Sequence, residues 1–228
     1  MHTNSGNSYS LLFLILVTFF VVFLILANLI ASKLILVFGM TLPAAVIIFP
    51  ITYILGDLFT EVYGFRQTRK IIWLGLTLSL LAVCVYQITI ILPYPDYWAN
   101  QDSYKVVFAT TPRILAASAL AYFFGEFLNS AVLSKMKVVT NGRFLGLRTI
   151  GSSILGLALD TFIFIFIAFY GQLPGQALWQ MMLFQYIWKL SYEIILTPFV
   201  YILTNKVKKI EKIDTFDINV TYNPFNVN

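Results

Sequence analysis

Long uncharged runs, broken by short charged segments, organise this chain. Leu34 to Gly56 carries no charge over twenty-three residues, and then "GDLFTEVYGFRQTRK", residues 56–70, supplies two acids and three bases. Repeated along the chain, this pattern gives six apolar segments at about 10–31, 36–60, 70–92, 113–134, 149–170 and 178–204. Each matches the roughly 20 residues that cross a hydrocarbon core. Backbone groups in lipid must be satisfied internally, and a β-barrel would show short alternating segments, so the runs predict helices. The expected fold is all-α, a polytopic membrane bundle of six transmembrane helices. The first segment is too long for a signal peptide and lacks a basic leader, so it is expected to be retained.

Composition sharpens this picture. Apolar residues make up 59% of the 228 and charged residues 11%, less than half the charge of an ordinary soluble domain. Of fifteen Lys and Arg, eleven fall in three clusters: after the second segment (Arg66, Arg69, Lys70), after the fourth (Lys135, Lys137, Arg143, Arg148) and after the sixth (Lys206, Lys208, Lys209, Lys212). Lys33, Lys105 and Arg113 lie between the other segment ends. By the positive-inside rule both termini are expected in the cytoplasm, and the net charge of +5 reflects topology rather than nucleic-acid binding. The organisation is then a cytoplasmic segment 1–9, a transport domain 10–204 and a basic, then polar, cytoplasmic tail 205–228. The tail has no helical period and is expected to be mobile.

Several chemistries are excluded by what the sequence lacks. A single cysteine, Cys84, and a single histidine, His2, offer neither a disulfide nor a metal cluster, so no metal and no cofactor are expected. No G-x-x-x-x-G-K-[ST] or G-x-G-x-x-G occurs, so an ATPase would have to be another polypeptide. An intramembrane aspartyl enzyme would be expected to show Gly-x-Gly-Asp, but Asp57 follows "ILG" and Asp160 follows "LAL". The chain is not expected to be an enzyme.

Charges inside the segments carry the functional signal. Asp57, Glu126, Asp160, Lys189 and Glu193 lie in or near apolar runs, where each costs about 2.5–3.5 kcal/mol at a helix centre. Lys189 and Glu193, at i and i+4, are spaced for an ion pair on one helix face. On that reading Glu193→Gln would orphan Lys189, whereas Asp160→Asn would leave the fold intact. One base cannot balance four acids, so some carboxyl is protonated, solvated or awaiting a ligand. Asn129 follows Glu126 by three residues, Asn28 lies near the outer end of the first segment, and Thr161 adjoins Asp160. Phe49, Tyr53, Tyr122, Trp188 and Tyr192 could form a stacking wall. Pro43 and Pro50 permit a broken second segment with free carbonyls. "LGDLFTEV" (55–62) and "FGEFLNSA" (124–131) hint at an internal repeat.

"FPITYILGDLFTEVYGFRQTRKI" (49–71), "GEFLNSAVLSKMK" (125–137), "LRTIGSSILGLALDTFIFIFIAFYG" (147–171) and "KLSYEIILTPFVYIL" (189–203) together resemble the queuosine precursor transporter family, the vitamin and queuosine uptake transporters. The most specific element is Asp57, Glu61, Val62-Tyr63-Gly64 and a following Arg69; where the family usually has Ala before that arginine, this chain has Thr68. The resemblance implies uptake of 7-cyano-7-deazaguanine or 7-aminomethyl-7-deazaguanine across a bacterial inner membrane for tRNA queuosine modification. Secondary, proton-coupled transport is the expected mode, with the acids inside the segments available to carry a proton. A carboxylate accepts the two N–H donors of a guanine-like edge. Candidates for binding or coupling are Asp57, Glu61, Glu126, Asn129, Asp160, Lys189 and Glu193. Asp57 and Glu61 could instead gate the cytoplasmic end or pair with Arg66 or Arg69, the two arginines that are candidate gates there. The alternative is a substrate-binding membrane subunit of an importer energised by a separate ATPase. Partners on these readings are a 7-deazaguanine, the lipid bilayer, and a homo-oligomer or the ATPase, with no direct contact to nucleic acid.

Overall fold

Phe38 and Gly39 both adopt positive φ, 49° and 80°, and fold the start of the second apolar segment into a tight hairpin. Strand β1 (Leu34–Val37) pairs antiparallel with β2 (Met40–Pro43), Val37 opposite Met40. Two consecutive positive φ values match the twist that a two-residue hairpin turn needs. A short 3₁₀ turn, Ala44–Ile47, follows, and α2 (Phe49–Tyr63) starts with Pro50 in its first turn, where a missing N–H costs nothing. The run expected as one helix over 36–60 is therefore a hairpin, a 3₁₀ turn and a fifteen-residue helix. Its prolines and the positive-φ turn forbid continuous helix.

The computed structural model describes residues 10–31, 33–109 and 112–226. Its other helices are α1 (Leu11–Ile30), α3 (Phe65–Ile91), α4 (Gln101–Phe108), α5 (Pro112–Val139), α6 (Leu145–Phe169) and α7 (Gly175–Glu211). Among the described residues five helices are long and apolar enough to cross a membrane: α1, α3, the stretch ending in α5, α6 and α7. At 1.5 Å per residue α2 spans only about 22 Å, short of a 30 Å core. It lies inside the bundle, with thirteen of its fifteen residues buried and α1, α3, α5 and α7 around it. Protein replaces lipid around α2, which is what lets it carry Asp57 and Glu61 at such depth.

The lipid-facing shell is apolar on the outside as well, with Phe19, Leu81, Phe162 and Ile195 among its exposed side chains. A helix apolar all round belongs in a membrane. Helices α5 and α6 approach closely at glycines: a Cβ on Gly156 would meet the Gly125 carbonyl oxygen at 3.0 Å and the Asn129 Cβ at 2.7 Å. Small residues permit such backbone contact between membrane helices.

The tail overturns the expectation of mobility. Beyond α7 the chain turns back and lies along the end of the bundle where α2 meets α3. There Gly64, at φ 82°, joins the two helices, and a Cβ on it would strike Thr215 and Asp217 of the tail. The Asp217 carboxylate accepts from the Phe65 amide (2.8 Å) and from Ser134 Oγ (2.6 Å). Arg69 donates to the Thr221 and Asn223 carbonyls, and Trp73 Nε1 to the Pro224 carbonyl. The scattered aromatics of the tail find ring partners: Tyr222 packs on Phe65, and Phe225 on Trp73 and Phe123. At the same end Ser10 Oγ donates to Glu211 at 2.6 Å.

Candidate functional site

Buried charge divides into two groups, and α2 supplies an acid to each. Asp57 and Glu61 sit one turn apart, yet they belong to different networks.

Glu61 enters an ionic cluster at the base-rich end. Arg148 grips its carboxylate with both terminal guanidinium nitrogens, Lys208 donates at 2.6 Å, and Lys137 lies 3.6 Å away. Lys137 also donates to the Glu61 and Thr215 carbonyls, and with Lys208 it reaches Asp214 on the tail. Burial pushes the Asp214 carboxyl up, but hydrogen bonds and charge from Lys137 and Lys208 hold it below the ordinary carboxylate value. Glu61, Lys137 and Arg148 are all buried, so the cluster ties α2, α5, α6, α7 and the tail together. Of the two arginines considered as gates, Arg69 is held by tail carbonyls and stands over the Phe65 ring, and Arg66 is exposed. Nothing in the spacing of Lys137 and Arg148 signals that they turn inward, because a cluster of bases after a span also reads as solvated topology signal.

The second group occupies the centre. Tyr53, Asp57, Glu126, Asn129, Asp160 and Glu193 are each at most 3% exposed. Asn129 Nδ2 donates to Asp57 Oδ1 at 2.7 Å, and the carboxyls of Asp57 and Glu193 adjoin one another. Asp57 thus lies level with the central acids and not in cytoplasmic water. Tyr53 stands within electrostatic reach of all four carboxyls. Gly56 makes room for Glu126: a Cβ there would fall 2.0 Å from its Oε1. Tyr53 Oη, Asp57 Oδ2, Glu126 Oε1, Asn129 Oδ1 and Thr161 Oγ1 are buried with no hydrogen-bond partner among the described residues. Buried polar atoms are nearly always paired, so such a concentration marks a site built to receive something.

The expected Lys189–Glu193 pair is not formed. Lys189 Nζ reaches across to Asp160 Oδ2 at 2.5 Å and lies 4.3 Å from the centre of the Phe49 ring. Glu193 instead accepts from Ser153 Oγ at 3.0 Å. Positions i and i+4 share a helix face, but both side chains point at α6, whose Asp160 and Ser153 outcompete the neighbour on α7.

A cavity of about 200 Å³ opens in the half of the bundle away from the basic end, between α1, α3, α5 and α6, with Asn28, Phe49, Ser79, Tyr122 and Phe164 in its wall. A smaller one of about 50 Å³ shares Asn28, Pro43, Phe49, Ser118 and Phe164 with it and ends on Asp160, Gln185 and Lys189. Together they lead from the hairpin end to the central ion pair. Of the aromatic candidates, Phe49 and Tyr122 line this route, Tyr53 lies among the acids, and Trp188 packs on Phe38 of the hairpin. Tyr192 is half-buried on α7 and lines neither cavity. Among the described residues no group of His, Cys, Asp and Glu is arranged to hold a metal ion.

No solved structure matches the chain. It is similar to a protein of Bacillus subtilis (strain 168) named "Probable queuosine precursor transporter", 28% identical over 176 residues, which cover 77% of each chain. The family model described as "Putative vitamin uptake transporter" matches residues 43–203, from the end of the hairpin through most of α7. That match takes in α2 with both its acids, the α5–α6 glycine crossing and the Asp160–Lys189 pair, and by it this multi-pass membrane chain belongs to the vitamin uptake transporter family.

Proposed function

We propose that this chain imports 7-deazaguanine precursors of queuosine, such as 7-cyano-7-deazaguanine or 7-aminomethyl-7-deazaguanine, across a bacterial inner membrane for tRNA modification. The observation that carries the reading is the route that ends on Lys189 and Asp160 beneath the Phe49 ring. A flat heterocycle entering it meets an aromatic face and a polar floor, the combination that small-molecule sites use for affinity and orientation. The six segments act as a bundle with both termini in the cytoplasm, and the route opens on the opposite side.

Transport is secondary. Among the described residues Asp57, Glu126 and Glu193 have no cation partner, and charge balance at this depth is met by protons. Substrate at the Asp160–Lys189 floor and protons on the neighbouring acids would then be exchanged between the two sides together. The test is uptake of labelled 7-deazaguanine into cells lacking both its synthesis and its import, with this chain as the sole addition. Accumulation, and return of queuosine to tRNA, is expected without an added ATPase. If uptake requires a copurifying ATPase, the chain is the membrane subunit of an energised importer, and if no 7-deazaguanine enters despite confirmed membrane expression, the substrate class is wrong.

A further inference from the structure

Gln185 on α7 is 4% exposed, lines the inner cavity beside Lys189 and Asp160, and holds its Oε1 with no hydrogen-bond partner among the described residues. An unpaired amide oxygen at this depth is costly, and the cavity is the side from which a donor can come. Across the same cavity Asn28 on α1 accepts from Ser118 Oγ at 2.9 Å through its Oδ1. With that oxygen engaged, what Asn28 can offer a ligand in the cavity is its amide N–H donors. The charged residues of the cavity are already matched: Asp160 and Lys189 neutralise each other, and the Lys189 ammonium rests on Phe49.

From this we infer that Gln185 and Asn28 form the specificity subsite, reading the amino and carbonyl groups of an uncharged flat lactam: Gln185 Oε1 accepts from the exocyclic amine, and the Asn28 amide donates to the ring carbonyl. The inference rests on the transport reading above and refines it, because it gives recognition to two neutral amides and leaves the carboxyl cluster to coupling. A site with a committed acceptor rejects an analogue lacking the matching donor, since the acceptor is then buried unpaired.

The experiment is equilibrium binding to the purified full chain in lipid nanodiscs, using 7-cyano-7-deazaguanine and its analogue without the 2-amino group. The wild type is expected to favour the amino compound at least tenfold, about 1.4 kcal/mol. Gln185→Met keeps size, removes the acceptor, and should collapse that preference by weakening the amino compound alone. Asn28→Leu should weaken both ligands by a similar factor and preserve the preference, because both carry the carbonyl. A merely structural role would not separate the two variants in this way. If Gln185→Met retains the wild-type preference, or weakens both compounds equally, the subsite is wrong while the transport reading stands. If the wild type binds neither compound, both fall.

Discussion

Lys189 decides which central acid can be neutralised without harm. Because it pairs with Asp160, Asp160→Asn leaves a buried ammonium without its counter-charge, a loss of about 3–5 kcal/mol when one partner of a buried pair is removed. Glu193→Gln is the milder change, since a glutamine oxygen can still accept from Ser153, and its cost should stay near 1 kcal/mol. Both are expected to abolish uptake, but thermal unfolding of the purified protein should fall sharply only for Asp160→Asn. This reverses the order that spacing suggests, since the i,i+4 rule sees α7 and not the acid facing it from α6. Equal stabilities in the two variants would show that Lys189 does not depend on Asp160. Gly56→Ala should also stop transport at small cost in stability, because the added methyl displaces the end of the Glu126 side chain and no backbone. Gly156→Ala meets a carbonyl oxygen and should destabilise the α5–α6 crossing instead.

At the scale of elements, α2 and the tail show what the sequence could and could not disclose. The long helices were legible because an apolar run of 20 or more residues has few alternatives in lipid. The break in the second run was legible only as a permission, through Pro43 and Pro50; the hairpin depends on the turn at Phe38 and Gly39, which composition does not announce. Acids out of place announced most of the central cluster, whereas Gln185 gave no signal, since an uncharged amide in a membrane helix is unremarkable until its oxygen is found unpaired. The tail was misread because its order comes from partners far away in sequence. Asp217 holds the first turn of α3 and Ser134 of α5, so Asp217→Asn should cost about 1.5–3 kcal/mol and render residues after 212 sensitive to protease. Asp214 adds a pH limit. Its folded carboxyl lies below the ordinary value of about 3.9, so its contribution is full above that value and is lost as pH falls through the lowered one. Protease protection of the tail should therefore hold from neutral pH down to about 4 and fail only in stronger acid.

For the whole molecule, every cluster of bases comes to one end. The junction of α2 with α3, the end of α5, the start of α6, the end of α7 and the start of α1 meet there, while Lys33, Lys105 and Arg113 lie at the other end. By the positive-inside rule, eleven bases against three predict that this end faces the cytoplasm, and the Ser10–Glu211 hydrogen bond joins the start of α1 to the end of α7 there. Labelling with a membrane-impermeant thiol reagent reads this directly. Cys84 is exposed on the outer surface of α3 and would be replaced by Ala to give a silent background. Single cysteines at Arg66, Asn141 and Lys209 should then react only after the cells are opened, and those at Lys33, Tyr97 and Gln172 in intact cells, all six being exposed positions. The short α2 makes the comparison of Lys33 with Arg66 the decisive one. Between them lie the hairpin, the 3₁₀ turn and α2, so opposite labelling shows that this broken segment carries the chain across as a sixth traverse. Labelling of both from the same side would mean that α2 is re-entrant, with five crossings and the termini on opposite faces.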